Sequence, residues 1–170
     1  MPFPFLPTWR TGDVTGISAE FLQRQGISLL MLDFDNTIVP YTTNTPTDQV
    51  KNWLAAMKKS GLTVCVVSNS KRNRVPEFCK EYGIECITHA RKPFSKGIRQ
   101  CLKKYSIPAS QAVLVGDQIY TDTLGGNCAG VRTVLVHAIH NHTIWLKLRH
   151  IAELPFIFMA KNRRISNEKS

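Results

Sequence analysis

Short apolar runs recur along the chain, separated by segments of a different periodicity. The run at residues 28–33 is apolar until it ends in an acidic residue, which is typical of a strand buried on both faces of a sheet. Similar runs predict strands at residues 62–67, 85–88, 112–115 and 132–136. The loop that follows each strand is a candidate functional position, because open parallel sheets bind ligands at the carboxyl ends of their strands.

The segments between these runs have helical periodicity. One is apolar at i, i+3, i+4 and i+7, namely Val50, Trp53, Leu54 and Met57. We expect its helix to begin with Thr45 as the N-cap and Pro46 at the first helical position, and to end before Gly61. Further helices are predicted at residues 75–82, 95–105 and 120–129. This alternation predicts an α/β fold, a three-layer, Rossmann-like parallel sheet with helices on both faces.

Length and composition suit one ordinary domain. We expect a single domain over all 170 residues, with an amphipathic and basic extension at about residues 143–170. No apolar run approaches the ~18 residues of a membrane span, and the first residues lack the features of a signal peptide. The five cysteines form no C-x-x-C pair, so we expect free thiols in a cytoplasmic protein.

The excess of basic residues favours an anionic partner. The net charge is +10, which suits nucleic acid, an anionic membrane surface or an anionic substrate. Nucleic acid is the less favoured partner, because the sequence has no zinc-finger spacing, no aromatic RNA-binding signature and no long basic arm. The basic groups are Lys71, Arg72 and Arg74, then Arg91 and Lys92, then residues 147–164.

Polar side chains gather where the predicted strands end. Carboxyl ends of parallel strands meet at one edge of a sheet, so we expect these side chains to line one crevice. Several are carboxylates that need a counter-charge, and Mg²⁺ prefers oxygen ligands of this kind. The residues are Asp33, Asp35, Thr37, Ser68, Asn69, Arg91, Lys92, Asp117 and Asp122. Each residue alone could equally be a helix cap, a turn residue or a surface charge, so the combination carries the argument.

The combination resembles the haloacid dehalogenase (HAD) superfamily of phosphotransferases. Residues 33–37 resemble its D-x-D-x-[TV] motif, Ser68 its second motif, Lys92 its lysine motif, and residues 116–122 its G-D-x-x-x-x-D motif. Over about residues 7–149 the chain is similar to the YqeG branch of subfamily IIIA, which is related to the mitochondrial and plastid phosphatidylglycerophosphate phosphatases. The resemblance implies a HAD-type fold and a phosphomonoester hydrolase with an aspartyl-phosphate intermediate.

The resemblance also implies roles for the residues. Asp33 would be the nucleophile, Asp35 the general acid and then the general base, and Lys92 the neutralising cation. Asp122 stays open, since it could bind metal through water, orient Lys92 or cap a helix. The implied Mg²⁺ ligands are Asp33, Asp35, Asp117 and Asp122. The implied substrate-binding residues are Ser68, Asn69, Thr37, Lys71, Arg72 and Arg91.

The intervals between the motifs are too short for a sizeable cap domain, which in this superfamily commonly encloses small metabolites. The first interval holds a loop at residues 39–44 and one helix, and the second holds one helix and a short strand. An open crevice favours a phosphate carried on a large substrate. We expect a phosphatidylglycerophosphate phosphatase of phosphatidylglycerol synthesis. The alternatives are a phosphatase of nucleic-acid ends or phosphoproteins, and a low-turnover regulatory binding module.

Basic and apolar residues also suggest how the protein binds a lipid substrate. We expect Lys71, Arg72 and Arg74 to ring the crevice mouth beside Arg91, where they would attract an anionic phospholipid. Residues 144–159 combine apolar and basic positions, so this segment either contacts the inner face of the membrane peripherally or packs on its own domain. Residues after Asn162 are expected to be mobile.

Overall fold

The computed structural model describes residues 4–139, 154–160 and 163–165. Its centre is a six-stranded sheet whose strands pair in parallel. The strands are β1 Trp9–Arg10, β2 Leu29–Leu32, β3 Thr63–Val67, β4 Glu85–Ile87, β5 Ala112–Gly116 and β6 Arg132–Leu135. They lie in the order β1-β6-β5-β2-β3-β4, which places β2 between β5 and β3. The predicted parallel α/β fold is confirmed.

Helices connect the strands across both faces of the sheet. The α-helices are α1 Ala19–Arg24, α2 Asp48–Lys59, α3 Arg74–Tyr82, α4 Lys96–Tyr105 and α5 Leu124–Ala129. Short 3₁₀ turns lie at Val14–Gly16 and Ala109–Gln111, and a π-helical turn at Ile119–Thr123 precedes α5. Residues 33–47 and 88–95 form loops, so in this described part of the chain no cap domain interrupts the sheet, as predicted.

Two apolar cores lie on the two faces of the sheet, because successive side chains of a strand point in opposite directions. On one face Leu30 and Leu32 join a cluster that includes Trp53 of α2 and Phe78 of α3. On the other face Leu29 and Met31 join a cluster that includes Ile98 of α4 and Ala129 of α5. Burying a large apolar side chain contributes roughly 1.5–3 kcal/mol, so the two cores hold β2 and its carboxyl end in place.

Residues 7–27 contain a strand, a 3₁₀ turn and an α-helix that the sequence pattern did not predict. The strand β1 has only two residues and pairs with the edge of β6, so it is too short for an apolar periodicity to reveal. The helix α1 has one and a half turns and begins at Ser18, whose hydroxyl accepts a hydrogen bond from the Phe21 amide at 3.1 Å.

The start of α2 differs from the prediction by two residues. The N-cap is Thr47, whose hydroxyl accepts a hydrogen bond from the Val50 amide at 3.3 Å, and Asp48 is the first helical residue. The predicted cap at Thr45 is therefore wrong, because its hydroxyl lies too far back along the chain to reach the first free amides of the helix. The predicted end is confirmed, since Gly61 has a left-handed backbone with φ of +87°.

The described part of the carboxyl-terminal segment packs on the domain. Residues 154–159 are helical, and the Phe156 ring lies 5.2 Å from the Phe5 ring and 6.2 Å from the Tyr120 ring. Residues 163–165 lie beside β1, where the Ile165 amide donates to the Arg10 carbonyl, and the expected mobility after Asn162 stays a prediction. The amphipathic stretch at residues 144–153 lies outside the described residues. None of the described helices combines the length and apolarity that crossing a bilayer requires.

Candidate active site

The central strand and its neighbours bring the predicted site residues to one edge of the sheet. Leu32 pairs in register with Val115 of β5 and Val66 of β3, so the residues that follow these strands emerge side by side. The Asp33 amide donates to the Val115 carbonyl at 2.8 Å. The Ala90 amide donates to the Ser68 carbonyl at 3.0 Å. This hydrogen bond brings the segment that leads to Lys92 back to the same edge of the sheet.

Lys92 lies between two carboxylates. Its Nζ is 2.6 Å from Asp33 Oδ1 and 2.7 Å from Asp122 Oδ1, and its side chain is 1% exposed. Burial by itself lowers the pKa of Lys92, but the charges of Asp122 and Asp33 outweigh it and raise this pKa above its ordinary value. The ammonium therefore stays charged although its side chain is buried.

Three buried carboxylates form a compact acidic group that we call the acidic triad: Asp33, Asp117 and Asp122. Each offers an oxygen, and these oxygens lie within 4.8 Å of one another. Burial raises the pKa of Asp122 above its ordinary value although Lys92 opposes it. When ionised, three carboxylates beside one ammonium carry more negative charge than that lysine neutralises. A compact set of buried oxygen donors with excess negative charge fits Mg²⁺ in ligand type and in charge.

The Asp35 side chain lies apart from the acidic triad. Its Oδ1 is 3.3 Å from Arg74 Nη1, and its side chain is 23% exposed. Burial raises the pKa of the Asp35 carboxyl above its ordinary value, while Arg74 lowers it and Asp33 raises it further. A carboxyl with a raised pKa that is still open to solvent suits proton transfer better than metal binding.

Hydrogen bonds between residues of the loop after β2 hold this loop in place. Asn36 has a left-handed conformation with φ of 61°, which asparagine tolerates better than most residues. Its amide donates to the Val39 carbonyl at 2.8 Å, and its side-chain oxygen accepts from the Tyr41 amide at 3.1 Å. The buried Thr37 hydroxyl lies 3.4 Å from both Asp33 Oδ2 and Asp117 Oδ1, so Thr37 supports the acidic triad from within.

Ser68 and Asn69 have different surroundings. The buried Ser68 hydroxyl accepts a hydrogen bond from the Ser70 amide at 3.0 Å, which leaves its own proton to donate. The Asn69 amide group donates to the Lys92 carbonyl at 2.9 Å and accepts from the Lys92 amide at 2.7 Å. Asn69 therefore positions the backbone of Lys92.

The four basic residues expected at the crevice mouth divide into three exposed residues and one, Arg74, that faces inward. Lys71, Arg72 and Arg91 are exposed, and the Arg72 guanidinium lies 5.1 Å from the centre of the Tyr41 ring. Arg74 was expected at the crevice mouth, which is wrong, because its side chain is 9% exposed and turns toward Asp35 and the loop after β2. Nothing in the local sequence distinguishes Arg74 from its basic neighbours, since its contacts lie more than thirty residues away along the chain.

Gly116 explains the close approach of Asp122 to the sheet. A Cβ at this position would overlap the Asp122 carboxylate. Asp122 lies in the π-helical turn, and its Oδ2 accepts a hydrogen bond from the Gln118 amide at 3.1 Å. The glycine and the turn together place the second of the two carboxylates beside Lys92.

The parallel sheet, with polar side chains at the carboxyl end of β2, defines a HAD-like hydrolase. A family model described as HAD-hydrolase-like matches residues 89–142. Over 132 residues the chain is 34% identical to the probable phosphatase YqeG of Bacillus subtilis (strain 168), an alignment that covers 78% of this chain and 77% of that relative. The chain belongs to the HAD-like hydrolase family, and its similarity to a probable phosphatase supports a phosphatase enzyme.

Solved structures share the fold. The cobalt-bound deoxy-D-mannose-octulosonate 8-phosphate phosphatase of Haemophilus influenzae matches with a TM-score of 0.54 and 14% identity, covering 80% of this chain and 92% of that chain. A second match is the 3-deoxy-D-manno-octulosonate 8-phosphate phosphatase of Moraxella catarrhalis, which was solved with magnesium, phosphate and KDO. Its TM-score is 0.50 and its identity 20%, and the match covers 84% of this chain and 98% of that chain. At these identities the likeness concerns the fold alone.

Proposed function

We propose that the chain is a Mg²⁺-dependent phosphomonoester hydrolase that forms an aspartyl phosphate on Asp33. The observation that carries this proposal is the buried Lys92 Nζ, 2.6 Å from Asp33 Oδ1, beside the acidic triad. Asp33, Asp117 and Asp122 would hold the ion, and we assign Asp35 to proton transfer because its carboxylate faces Arg74. When bound, Mg²⁺ supplies positive charge to the phosphate oxygens and offsets repulsion among the carboxylates.

The residues divide the reaction into two displacements. The Asp33 carboxylate attacks phosphorus, the bond from phosphorus to the leaving oxygen breaks, and Asp35 protonates that oxygen. A water molecule then attacks phosphorus, Asp35 accepts its proton, and Asp33 is released together with inorganic phosphate. Lys92 neutralises charge that gathers on Asp33 and the transferring group, and Ser68 donates its hydroxyl proton to a phosphate oxygen.

We propose phosphatidylglycerophosphate as the substrate and phosphatidylglycerol synthesis as the role. The absence of a cap in the loops at residues 33–47 and 88–95 supports a phosphate carried on something large. Exposed Lys71, Arg72 and Arg91 supply charge for an anionic lipid. The chain is similar to the probable phosphatase YqeG, and the relation to the phosphatidylglycerophosphate phosphatases that the sequence resemblance implies favours the same choice.

This substrate places the enzyme in the cytoplasm, at the inner face of the membrane. The exposed apolar side chains of residues 154–159, namely Leu154, Phe158 and Met159, are candidates for peripheral membrane contact, although Phe156 packs on the domain. We also propose that residues 1–170 form one hydrolase domain, with a carboxyl-terminal extension from about residue 143.

Phosphate release from lipid vesicles tests the function. Purified protein with Mg²⁺ should release inorganic phosphate from vesicles that contain phosphatidylglycerophosphate, and Asp33→Asn should abolish the release. The matched control is Asp48→Asn, which changes an exposed carboxylate on α2 that pairs with Lys51. Brisk turnover of nucleic-acid ends or phosphopeptides without lipid turnover would replace the substrate, and no turnover of any phosphate ester would favour a regulatory module.

A further inference from the structure

Arg74 is the first residue of α3, and its side chain turns inward rather than toward solvent. Its Nη1 donates to the Tyr41 carbonyl at 2.8 Å, and its Nη2 donates to the Pro40 carbonyl at 3.1 Å and to the Thr43 carbonyl. Its guanidinium carbon lies 5.0 Å from the centre of the Phe34 ring. These contacts join the start of α3 to the loop that follows β2.

The same guanidinium faces the carboxylate of Asp35. Arg74 Nη1 is 3.3 Å from Asp35 Oδ1, and the geometry of this ion pair is not that of a hydrogen bond. The pair therefore holds the carboxylate by charge, without a hydrogen bond from the guanidinium to Oδ1. Phe34, which precedes Asp35, contacts both the Arg74 guanidinium and the Phe78 ring, whose centre lies 5.2 Å from its own.

We infer that Arg74 is a positioning residue that holds Asp35 in place to protonate the leaving group. This inference rests on the proposed function, because that proposal assigns proton transfer to Asp35. A planar guanidinium can contact the carboxylate, the aromatic ring and three carbonyls at once, whereas a lysine ammonium acts as a point charge. The arrangement thus explains why an arginine occupies this position.

A leaving-group comparison separates positioning from general structural support. Phenyl phosphate releases phenol, whose pKa resembles the value of about 10 of a tyrosine side chain, so its departure gains much from protonation. 4-Nitrophenyl phosphate has nearly the same shape, but its nitro group stabilises the departing phenolate. A misplaced general acid should therefore slow the first substrate more than the second.

The experiment measures kcat/KM for both esters with Mg²⁺ on each protein preparation. We expect Arg74→Ala to lower kcat/KM for phenyl phosphate by about tenfold more than for 4-nitrophenyl phosphate, which is a part of the roughly 10²- to 10⁴-fold that general acid catalysis contributes. Arg74→Lys should recover only part of this ratio. Because both esters are measured on one preparation, partial unfolding of a variant cancels from the ratio, and thermal unfolding identifies a variant that does not fold.

Two further variants make the outcome decisive. Arg99→Ala is the matched control, because Arg99 also hydrogen bonds to a backbone carbonyl, that of Cys128 at 3.1 Å, but lies on α4, and the ratio should stay unchanged. Asp35→Asn should shift the ratio in the same direction as Arg74→Ala. A shift with Asp35→Asn and none with Arg74→Ala or Arg74→Lys overturns the inference alone. No shift with Asp35→Asn overturns the proposed role of Asp35 and, with it, this inference.

Discussion

The side chain of Asn69 and the backbone of Lys92 hold each other by two reciprocal hydrogen bonds, at 2.9 Å and 2.7 Å. The residues are 23 positions apart, and the pair joins the loop after β3 to the loop that carries the buried ammonium. Because Lys92 Nζ contacts both Asp33 and Asp122, a displacement of its backbone would disturb both contacts. Asn69 thus acts on the site through Lys92.

Replacing Asn69 tests this relationship. We expect Asn69→Ala to lower kcat by roughly 10- to 100-fold with little change in KM, because small misplacements of catalytic groups slow the chemical step. Steady-state kinetics on a soluble phosphate ester measure both values. Asn73→Ala is the control, since Asn73 is exposed nearby and its side chain makes no capping hydrogen bond. A rise in KM at unchanged kcat would instead indicate direct substrate binding by Asn69.

Replacing Lys92 should destabilise the fold as well as stop catalysis. Lys92→Ala leaves Asp33 and Asp122 buried without their cation, which should lower the free energy of unfolding by about 3–5 kcal/mol. Urea unfolding measures this loss. Lys104→Ala removes a similar contact, 2.7 Å from Glu85, that is exposed to solvent, and it should have little effect. Equal losses for the two variants would contradict a special role for the buried lysine.

Magnesium should stabilise the protein through the acidic triad. An ion that binds only the folded state adds about 2.7 kcal/mol at one hundred times its dissociation constant, so the melting temperature should rise with Mg²⁺ concentration. Asp117→Asn should remove most of this rise, because it removes a carboxylate of the triad. The exposed Asp48→Asn serves as the control. An unchanged response in Asp117→Asn would exclude the triad as the metal site.

Gly116→Ala should disturb the position of Asp122. The new methyl group would overlap the Asp122 carboxylate, and overpacking of this kind typically costs about 1–3 kcal/mol of stability. Thermal unfolding and kcat should both fall. Gly12→Ala is the control, since a Cβ at Gly12 meets nothing within 4 Å. Wild-type stability and kcat in Gly116→Ala would show that Asp122 can move away without consequence.

Part of this architecture was predictable because its determinants are local. The apolar runs that became β2, β3 and β5 are buried on both faces, and such runs differ from helical periodicity within a few residues. Lys92, Asp33 and the two other aspartates of the triad were expected together because the carboxyl ends of parallel strands meet at one edge. The two-residue β1 escaped detection because its pairing with β6 depends on a partner more than a hundred residues away.

The sequence by itself determined the sheet, its functional edge and the residue types gathered there, because apolar spacing and strand ends are properties of neighbouring residues. Only the tertiary structure decided that Arg74 turns inward to Asp35 and that Asn69 holds Lys92. It also decided that the Asp35 carboxylate stands apart from the triad. These contacts join loops from different strands, and their partners are chosen by the folded positions of the backbone rather than by spacing along the chain.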